Sequence, residues 1–309
     1  MIVEELVKQV KEIPEKTNYW FVRTDYGQYF DTYYENGFIA IGWNNITLEE
    51  LKNPNDYEVI RKKLLISEKL DPAKARTKGT LTGIINKLQS FVNLKKGDII
   101  IMPSRNSSRY AFGIVQSTQV DIDLKKGKEC EYYKRKKIKW ITIKSTSQLD
   151  PNFFTMRFTQ HTISRIDDYS PFIDNVISSL YRKNNNTHFV LDINTTKDIN
   201  VNSLILLINN IQVLINEINK DFNLGEQIDN NSIRLNLQSP GQIEFKLKIG
   251  KSLITLAAIL SLTCCNDDKE PIQSPELNNF INVNEDTISK IKRSMTELEA
   301  DKDKINAFK

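Results

Sequence analysis

The chain has 309 residues, 39% of them hydrophobic and 27% charged, so it is long enough for two folded domains and too apolar to be disordered. Three cysteines and two histidines exclude a disulfide framework and a multi-ligand zinc site. The first twenty residues are acidic and amphipathic, unlike an export signal, so a cytoplasmic location is expected.

The formal net charge of +4 is unevenly distributed along the chain. Residues 1–182 contain 29 basic and 22 acidic residues, whereas the remainder contains 14 and 17. The asparagine-rich stretch "YRKNNNTH", residues 181–188, lacks apolar periodicity and is interpreted as a linker. The sequence therefore predicts an N-terminal domain over residues 1–183 that suits a polyanionic partner, and a C-terminal domain over 188–309.

The N-terminal part alternates strand and helix patterns. Two apolar strands come first, and Thr47 with Glu50 then has the spacing of a capping box that starts a helix. Two further helical segments follow, and three more strands complete the pattern. The segments in chain order are "YWFVRT", "GFIAIGW", "ITLEEL", "YEVIRKKLLISEKL", "TKGTLTGIINKLQSFVNL", "KKGDIIIMPSR", "RYAFGIVQS" and "KKIKWITI". Short strands with helices in the crossovers predict a β-barrel of the α+β class.

The order of these segments resembles the PUA-like, EVE-type domain at the N-terminus of Mrr-type restriction proteins. The resemblance covers residues 15–180 and depends on the ordered set "W-x-V-R-T", "G-F-I-A-I-G-W", "F-V-x-x-x-x-G-D-I-I", "Y-x-F-G-I-V" and "I-K-W-I". Related EVE and YTH readers hold a nucleotide base, often a modified one, in an aromatic pocket. The resemblance therefore implies a nucleic-acid or nucleotide reader in a phage-defence setting.

Aromatic, basic and amide side chains suit such a pocket. Stacking an extruded base on an aromatic ring is worth roughly 1–3 kcal/mol, and guanidinium groups bind phosphate. Asn44 is a candidate for pairing with a base edge, and the loop "SRNSSRY", residues 104–110, is suited to a phosphate backbone. The predicted ligand-binding residues are Trp20, Arg23, Trp43, Asn44, Arg105, Arg109 and Tyr110.

Each candidate also has a structural interpretation. Trp20 is as consistent with core packing as with a pocket, and Trp140, in strict alternation after "KKIK", favours the core. Trp43 lies at a strand end and is the favoured pocket residue. The run "YYKRKKIKW", residues 132–140, interleaves five basic residues with aromatics and has the composition of a nucleic-acid surface, although such a run is also typical of a solvated face.

The C-terminal part is predicted to be a smaller α+β domain that acts in assembly or as an effector. It begins with the strand "HFVLDI", continues with an amphipathic helix over residues 200–222, and then has two strands around a Ser-Pro-Gly turn. The most apolar run, "KSLITLAAILSLTCC", is too short to span a bilayer, so we expect a buried helix that forms part of a homo-oligomer interface rather than a membrane contact. A charged amphipathic helix ends the chain.

The leading function is a reader without catalytic residues, metal or cofactor. The alternative is a Mg²⁺-dependent nuclease for modified DNA, because Glu244 and Lys246 form a Glu-x-Lys pair with Asp229 upstream. A third hypothesis is a sensor of a free nucleotide signal. Cys130 and His161 lack the surroundings of a nucleophile and its base.

Overall fold

The computed structural model describes residues 2–53, 56–124, 130–159, 161–236, 240–264 and 274–305. These residues form a mixed α+β protein with two compact units. The seven-stranded unit comprises Thr17–Thr146 and Pro151–Ser170. The five-stranded unit comprises Met1–Lys16, Ser147–Asp150 and Pro171–Lys309.

The helices and strands are numbered along the chain. The strands are β1 (Lys11–Glu12), β2 (Tyr19–Val22), β3 (Phe38–Ile41), β4 (Ile99–Pro103), β5 (Arg109–Val115), β6 (Asp121–Ile122), β7 (Lys134–Ser145), β8 (Ile163–Arg165), β9 (Leu180–Lys183), β10 (Asn186–Ile193), β11 (Ser232–Asn236) and β12 (Gly241–Lys248). The helices are α1 (Ile2–Gln9), α2 (Phe30–Glu35), α3 (Leu48–Lys52), α4 (Tyr57–Ser67), α5 (Ala75–Val92), α6 (Phe153–Met156), α7 (Ser170–Ile177), α8 (Val201–Asp221), α9 (Lys251–Cys264), α10 (Pro275–Val283), α11 (Glu285–Glu297) and α12 (Lys302–Ile305).

The seven-stranded unit has a curled sheet in the order β3-β7-β5-β4-β2-β8, with β6 paired to β7. β2 and β4 are parallel, and the other neighbours are antiparallel. The register between β5 and β7 shifts between Phe112 and Gly113, which marks a bulge of the kind that bends a strand. A side chain at Gly113 would meet Ile138 and Trp140, so the bend depends on a glycine there.

Helices close one side of this curled sheet. The predicted capping box is present, because Thr47 accepts a hydrogen bond from the Glu50 amide while the Glu50 side chain accepts from the Thr47 amide. The apolar faces of α4 and α5 then pack on the strands in one core. The aliphatic spacing of the sequence is sufficient to place both helices, as predicted.

The five-stranded unit has the sheet order β1-β9-β10-β12-β11. The antiparallel strands β11 and β12 and the strand β10 lie where the sequence predicts them, while Ser239 of the predicted turn lies outside the described residues. Among the described residues, one helix, α8, has the length and composition of a membrane span, and its buried face belongs to the core of this unit. The predicted single C-terminal helix is two helices, α11 and α12.

The interpretation of residues 181–188 as a linker was wrong. This stretch is the hairpin between β9 and β10, whose strands pair Lys183 with Asn186. Asn184 and Asn185 form the two-residue turn with φ values of 50° and 59°. Asparagine tolerates this left-handed conformation, so the asparagine run supplies a turn. Residues 171–183, and residues 2–16 at the N-terminus, therefore lie in the five-stranded unit.

The apolar run "KSLITLAAILSLTCC" forms α9, as predicted, over the residues that the structure describes; Cys265 lies outside them. Residues 252–260 are all buried within the core of their own unit. The run therefore needs no second subunit to cover it, and its apolar surface gives no reason to expect a homo-oligomer.

Candidate functional site

Two cavities in the seven-stranded unit share part of their lining. The first, called the aromatic cavity, has a volume of about 1020 Å³ and is lined by Tyr26, Trp43 and Tyr132 among others. The second, called the arginine cavity, has a volume of about 650 Å³ and is lined by Arg23, Arg105 and Arg157 among others. Arg23 and Tyr26 line both, so the two cavities adjoin. An aromatic cavity next to a cationic cavity is the main feature of this site.

Trp43 is held at the end of β3 by its backbone and its ring. Its φ of 55° is rare for a bulky residue, and its carbonyl accepts a hydrogen bond from Nζ of Lys134 at 2.9 Å. The indole Nε1 donates to Oε1 of Glu68 at 3.1 Å. Lys134 and Glu68 thus position the ring at the cavity wall. A strained backbone that is fixed from both sides is typical of a functional position.

Tyr132 reaches the aromatic cavity because two neighbours make room for it and fix it. A side chain at Gly42 would come within 3.3 Å of the Tyr132 ring, so the ring lies close to that backbone. Asn44 donates to the carbonyl of Glu131 at 2.7 Å and accepts from the amide of Tyr133 at 3.0 Å. The structure therefore places Asn44 as a clamp on both sides of Tyr132, outside the cavity lining.

The arginine cavity collects positive charge. Arg23 is fixed, since it donates to the carbonyls of Thr159 and Arg157, the latter at 2.7 Å. The guanidinium groups of Arg105 and Arg157 form no ion pair with any described residue. No acidic side chain is among the described residues that line this cavity. Three guanidinium groups without a counter-charge favour the binding of an anion.

The loop of Arg105 is positioned by a close approach of two segments. Gly27 has a φ of 90°, and a Cβ atom there would clash with the backbone nitrogen of Arg105. Only glycine allows the turn after β2 to pack directly against the loop after β4. The two segments are separated by almost eighty residues in the chain, so the arginine cavity exists only in the folded unit.

Backbone strain is concentrated around both cavities. Of the eleven non-glycine residues with positive φ in the described ranges, five line one or both cavities: Asp25, Tyr26, Trp43, Asn106 and Ser107. Residues in this region are costly and are retained where the surrounding structure requires them, often at ligand sites. The concentration supports a functional role for this end of the sheet.

Besides Asn44, three of the predicted ligand-binding residues lie outside the two cavities. Trp20 is half-buried, and its Nε1 donates to Oδ2 of Asp98 at 3.1 Å. Arg109 stacks over Phe30 and lies 3.7 Å from Asp31. Tyr110 is 0% exposed in the core of the unit. The structure therefore brings together Arg23, Trp43 and Arg105 and gives the other predicted residues different surroundings.

The basic run at residues 132–140 is not a continuous cationic surface. Lys134 and Lys136 are buried, because strand alternation turns both into the interior with Ile138. Nζ of Lys136 donates to the carbonyls of Val92, Leu94 and Thr118. Burial lowers the pKa of each lysine to about 8. The outward-facing Arg135 is itself paired with Asp123, so its charge is partly neutralised.

The residues of the nuclease alternative lie in the five-stranded unit. Glu244 is buried, and its two oxygens accept from His188 at 2.7 Å and from Asn175 at 3.0 Å. Burial opposes its ionisation, but these hydrogen bonds outweigh burial and lower the pKa of Glu244. Asp229 lies in a short 3₁₀ turn, and Lys246 on β12 is half-buried. In the described part of the chain no three His, Cys, Asp or Glu side chains are grouped to hold a metal.

Several lining residues were missed in the sequence. Tyr26 is 90% exposed at the rim of both cavities, and Arg157 lies in the arginine cavity. The turn "TDYG" after the first strand was the available signal for Tyr26, since Asp-Tyr-Gly favours a tight turn that exposes its aromatic ring. Glu68 and Arg157 have no comparable local signal.

Comparison with known proteins gives one match. A family described as "Domain of unknown function (DUF8426)" matches residues 20–167, a segment that begins in β2 and ends just after β8. No curated protein and no solved structure matches the chain. The matched segment covers most of the seven-stranded unit, including both cavities, and assigns it no function.

Proposed function

We propose that the seven-stranded unit is a PUA-like domain that binds a nucleotide, free or within a nucleic acid. The base occupies the aromatic cavity and a phosphate occupies the arginine cavity. The observation that carries the proposal is that the two cavities adjoin through Arg23 and Tyr26. A nucleotide has the matching division, because its aromatic base and its anionic phosphate lie a few bonds apart.

The interaction energies suit such a ligand. Stacking on an aromatic side chain contributes roughly 1–3 kcal/mol per base, and Trp43, Tyr26 and Tyr132 offer three rings. Hydrogen bonds from guanidinium groups to phosphate are charge-assisted and stronger than neutral ones. Tyr26 on the rim, at 90% exposure, is placed to cover a base after it enters.

The charge of the whole unit supports an anionic ligand. The seven-stranded unit has 25 basic and 16 acidic residues, a net charge of +9, whereas the rest of the chain has a net charge of −5. This division is sharper than the one at residue 182, because acidic residues of the N-terminal segment belong to the other unit. A positive field over one unit attracts polyanions and raises their rate of association.

The wider setting belongs to the same proposal. The resemblance to Mrr-type restriction proteins supports a role in phage defence, with a modified base as one form of the ligand. The five-stranded unit, which contains the C-terminal part of the chain, then acts as an assembly or effector domain, and a homo-oligomer is one form of that assembly. The nuclease alternative requires Glu244, whose oxygens are engaged by His188 and Asn175.

Binding by matched variants tests the proposal. Fluorescence anisotropy with plain and base-modified oligonucleotides, and calorimetry with nucleoside monophosphates, should detect a ligand for the full chain. Trp43→Ala should weaken binding most, and Arg105→Ala by about tenfold, since a hydrogen bond to a charged group is worth about 1.5–3 kcal/mol. Arg109→Ala is the matched control, because Arg109 begins β5 directly after the loop of Arg105 and lies outside both cavities.

The results separate the hypotheses. A steep loss of affinity with salt indicates a nucleic-acid polymer, whereas a shallow slope indicates a single nucleotide. Equal effects of Arg105→Ala and Arg109→Ala, or no binding by any nucleotide, would remove the proposed site. Cleavage of DNA with Mg²⁺ that is lost in Glu244→Ala would favour the nuclease.

A further inference from the structure

The aromatic cavity contains two carboxylates, which restrict the bases that fit it. Asp25 and Glu68 are both part of its lining. A carboxylate only accepts hydrogen bonds, and it repels the phosphate and carbonyl oxygens of a ligand. A base bound here must therefore present hydrogen-bond donors to these groups.

Glu68 occupies an electrostatically unfavourable position. It is the C-cap of α4, where the helix carbonyls already concentrate partial negative charge. In the described part of the chain, its carboxylate accepts one hydrogen bond, from Nε1 of Trp43. That bond uses one lone pair of Oε1 and leaves acceptor capacity on both carboxylate oxygens. A carboxylate in this place, next to a stacking ring, is suited to a donor supplied by the ligand.

We infer, on the basis of the proposed nucleotide-binding function, that the aromatic cavity recognises guanine. The purine stacks on Trp43, and the N1–H and N2–H groups of its Watson–Crick edge donate to Glu68. Guanine presents two adjacent donors, which match the two oxygens of a carboxylate. Adenine and cytosine place a ring-nitrogen acceptor beside their amino group, and uracil and thymine flank their single N–H with carbonyl oxygens. Those bases would direct a lone pair at the carboxylate.

Tyr132 complements this arrangement on the carbonyl side of the base. Burial, followed by the negative charge of Asp25, raises the pKa of Tyr132. Its hydroxyl therefore stays protonated across the physiological range and is a donor for guanine O6. A carboxylate for the two N–H groups and a phenol for O6 together match the full donor and acceptor pattern of that edge.

Calorimetry of the full chain with GMP, IMP, AMP, CMP and UMP tests the inference. GMP should bind at least about tenfold more tightly than AMP, CMP or UMP, because each of those bases presents an acceptor where guanine presents its second donor to Glu68. IMP, which lacks the N2 amino group, should bind more weakly than GMP. In Glu68→Gln the side chain still accepts from Trp43, but it presents one carbonyl oxygen and one amide group to the base. The affinity for GMP should therefore fall to the affinity for AMP. Glu58→Gln, an exposed acid on the same helix, should leave GMP binding unchanged.

The outcomes distinguish this inference from the function on which it rests. Equal affinity for all five nucleotides, or a guanine preference that persists in Glu68→Gln, would contradict guanine recognition and leave the nucleotide site in place. Failure of every nucleotide and of every oligonucleotide to bind would contradict both. A circular-dichroism spectrum and melting temperature of Glu68→Gln like those of the wild type exclude misfolding as the cause of a loss.

Discussion

The two units differ in whether their charged side chains have partners of opposite charge. In the five-stranded unit, each of three buried acids has a basic partner: Asp174 lies 2.6 Å from Lys183, Asp192 lies 2.8 Å from Lys304, and Glu244 lies 2.7 Å from His188. Removing charges from water is costly unless they are paired in this way. These charges are therefore satisfied inside the fold and indicate a structural role.

In the seven-stranded unit, two arginines that line the arginine cavity have no acidic partner among the described residues. Arg105 and Arg157 form no ion pair with any described residue, and five strained residues, Trp43 among them, line the two cavities. Unpaired charge together with backbone strain is what a fold retains for a ligand. Glu244 and Lys246 form a motif that is conspicuous in the sequence. The arginines that the fold leaves without an ion pair are nevertheless the better indication of a ligand site.

The largest expected loss of stability comes from breaking the buried hydrogen-bond network around Glu244, which we call the closed network. Glu244→Ala removes the acceptor of His188 and Asn175, and Asn175 in turn accepts from the Tyr181 hydroxyl. Each buried donor that loses its acceptor costs about 1–3 kcal/mol. Urea denaturation should show this loss, whereas Arg234→Ala, whose side chain is half-exposed beside the same carboxylate, should cost much less. An equal loss in both variants would contradict the closed network.

A smaller effect on stability, with a specific effect on binding, is expected at Gly27. Gly27→Ala introduces strain at a φ of 90° and a clash with the Arg105 backbone. Gly97 has a φ of 94° and open space around it, so Gly97→Ala reproduces the strain without the clash. Both should lose about 1 kcal/mol or more of unfolding free energy. Only Gly27→Ala should weaken nucleotide binding, and equal binding by the two variants would contradict the placement of the Arg105 loop.

The buried lysines predict a pH dependence that belongs to the seven-stranded unit. Burial lowers the pKa of Lys134 and Lys136 from 10.5 to about 8. Between these values the unfolded chain binds more protons than the folded chain, so the free energy of unfolding should rise with pH from about 8 toward 10. Above pH 10, buried tyrosines such as Tyr33 act in the opposite direction, because burial raises their pKa.

Urea denaturation of wild type and Lys134→Met at several pH values between 7.5 and 9.5 measures this dependence. The variant should have a shallower rise, because one of the two lysines no longer titrates. The free energy of unfolding of the wild type could instead fall over this interval, or its dependence on pH could be the same in Lys134→Met. Either result would contradict a buried Lys134 that titrates in this range.

The smallest change in stability is expected when an arginine without an ion pair is replaced. Arg157→Ala removes an exposed guanidinium that has no acidic partner among the described residues, so the unfolding free energy should change by less than about 0.5 kcal/mol. Thermal melting of this variant beside Glu244→Ala checks the contrast directly. A loss near that of Glu244→Ala would show that Arg157 is structural.

Much of the fold follows from local pattern. Hydrophobic periodicity predicts α4, α5, α8 and the principal strands, and the Thr47–Glu50 spacing predicts a helix start that the structure confirms. These features depend on neighbours within a few residues. They are the part of the structure that one sequence determines most directly.

Features that depend on distant contacts were not predictable. The asparagine turn at residues 184–185 looks like a linker until β9 pairs with β10. Lys134 and Lys136 look like a solvated surface until strand alternation places their ammonium groups near interior carbonyls. Tyr26, Glu68 and Arg157 become site residues only because separate loops meet. Trp43 was predicted because a strand end is a local feature.

Photochemical crosslinking of a bound nucleotide tests the central claim most directly. The full chain is irradiated with a radiolabelled nucleoside monophosphate that binds it, and the modified peptide is identified by mass spectrometry. The account predicts modification of Tyr26, Trp43 or Tyr132, which is lost when unlabelled nucleotide competes. Modification confined to Trp20, to the outer face of β7 or to the five-stranded unit would contradict it.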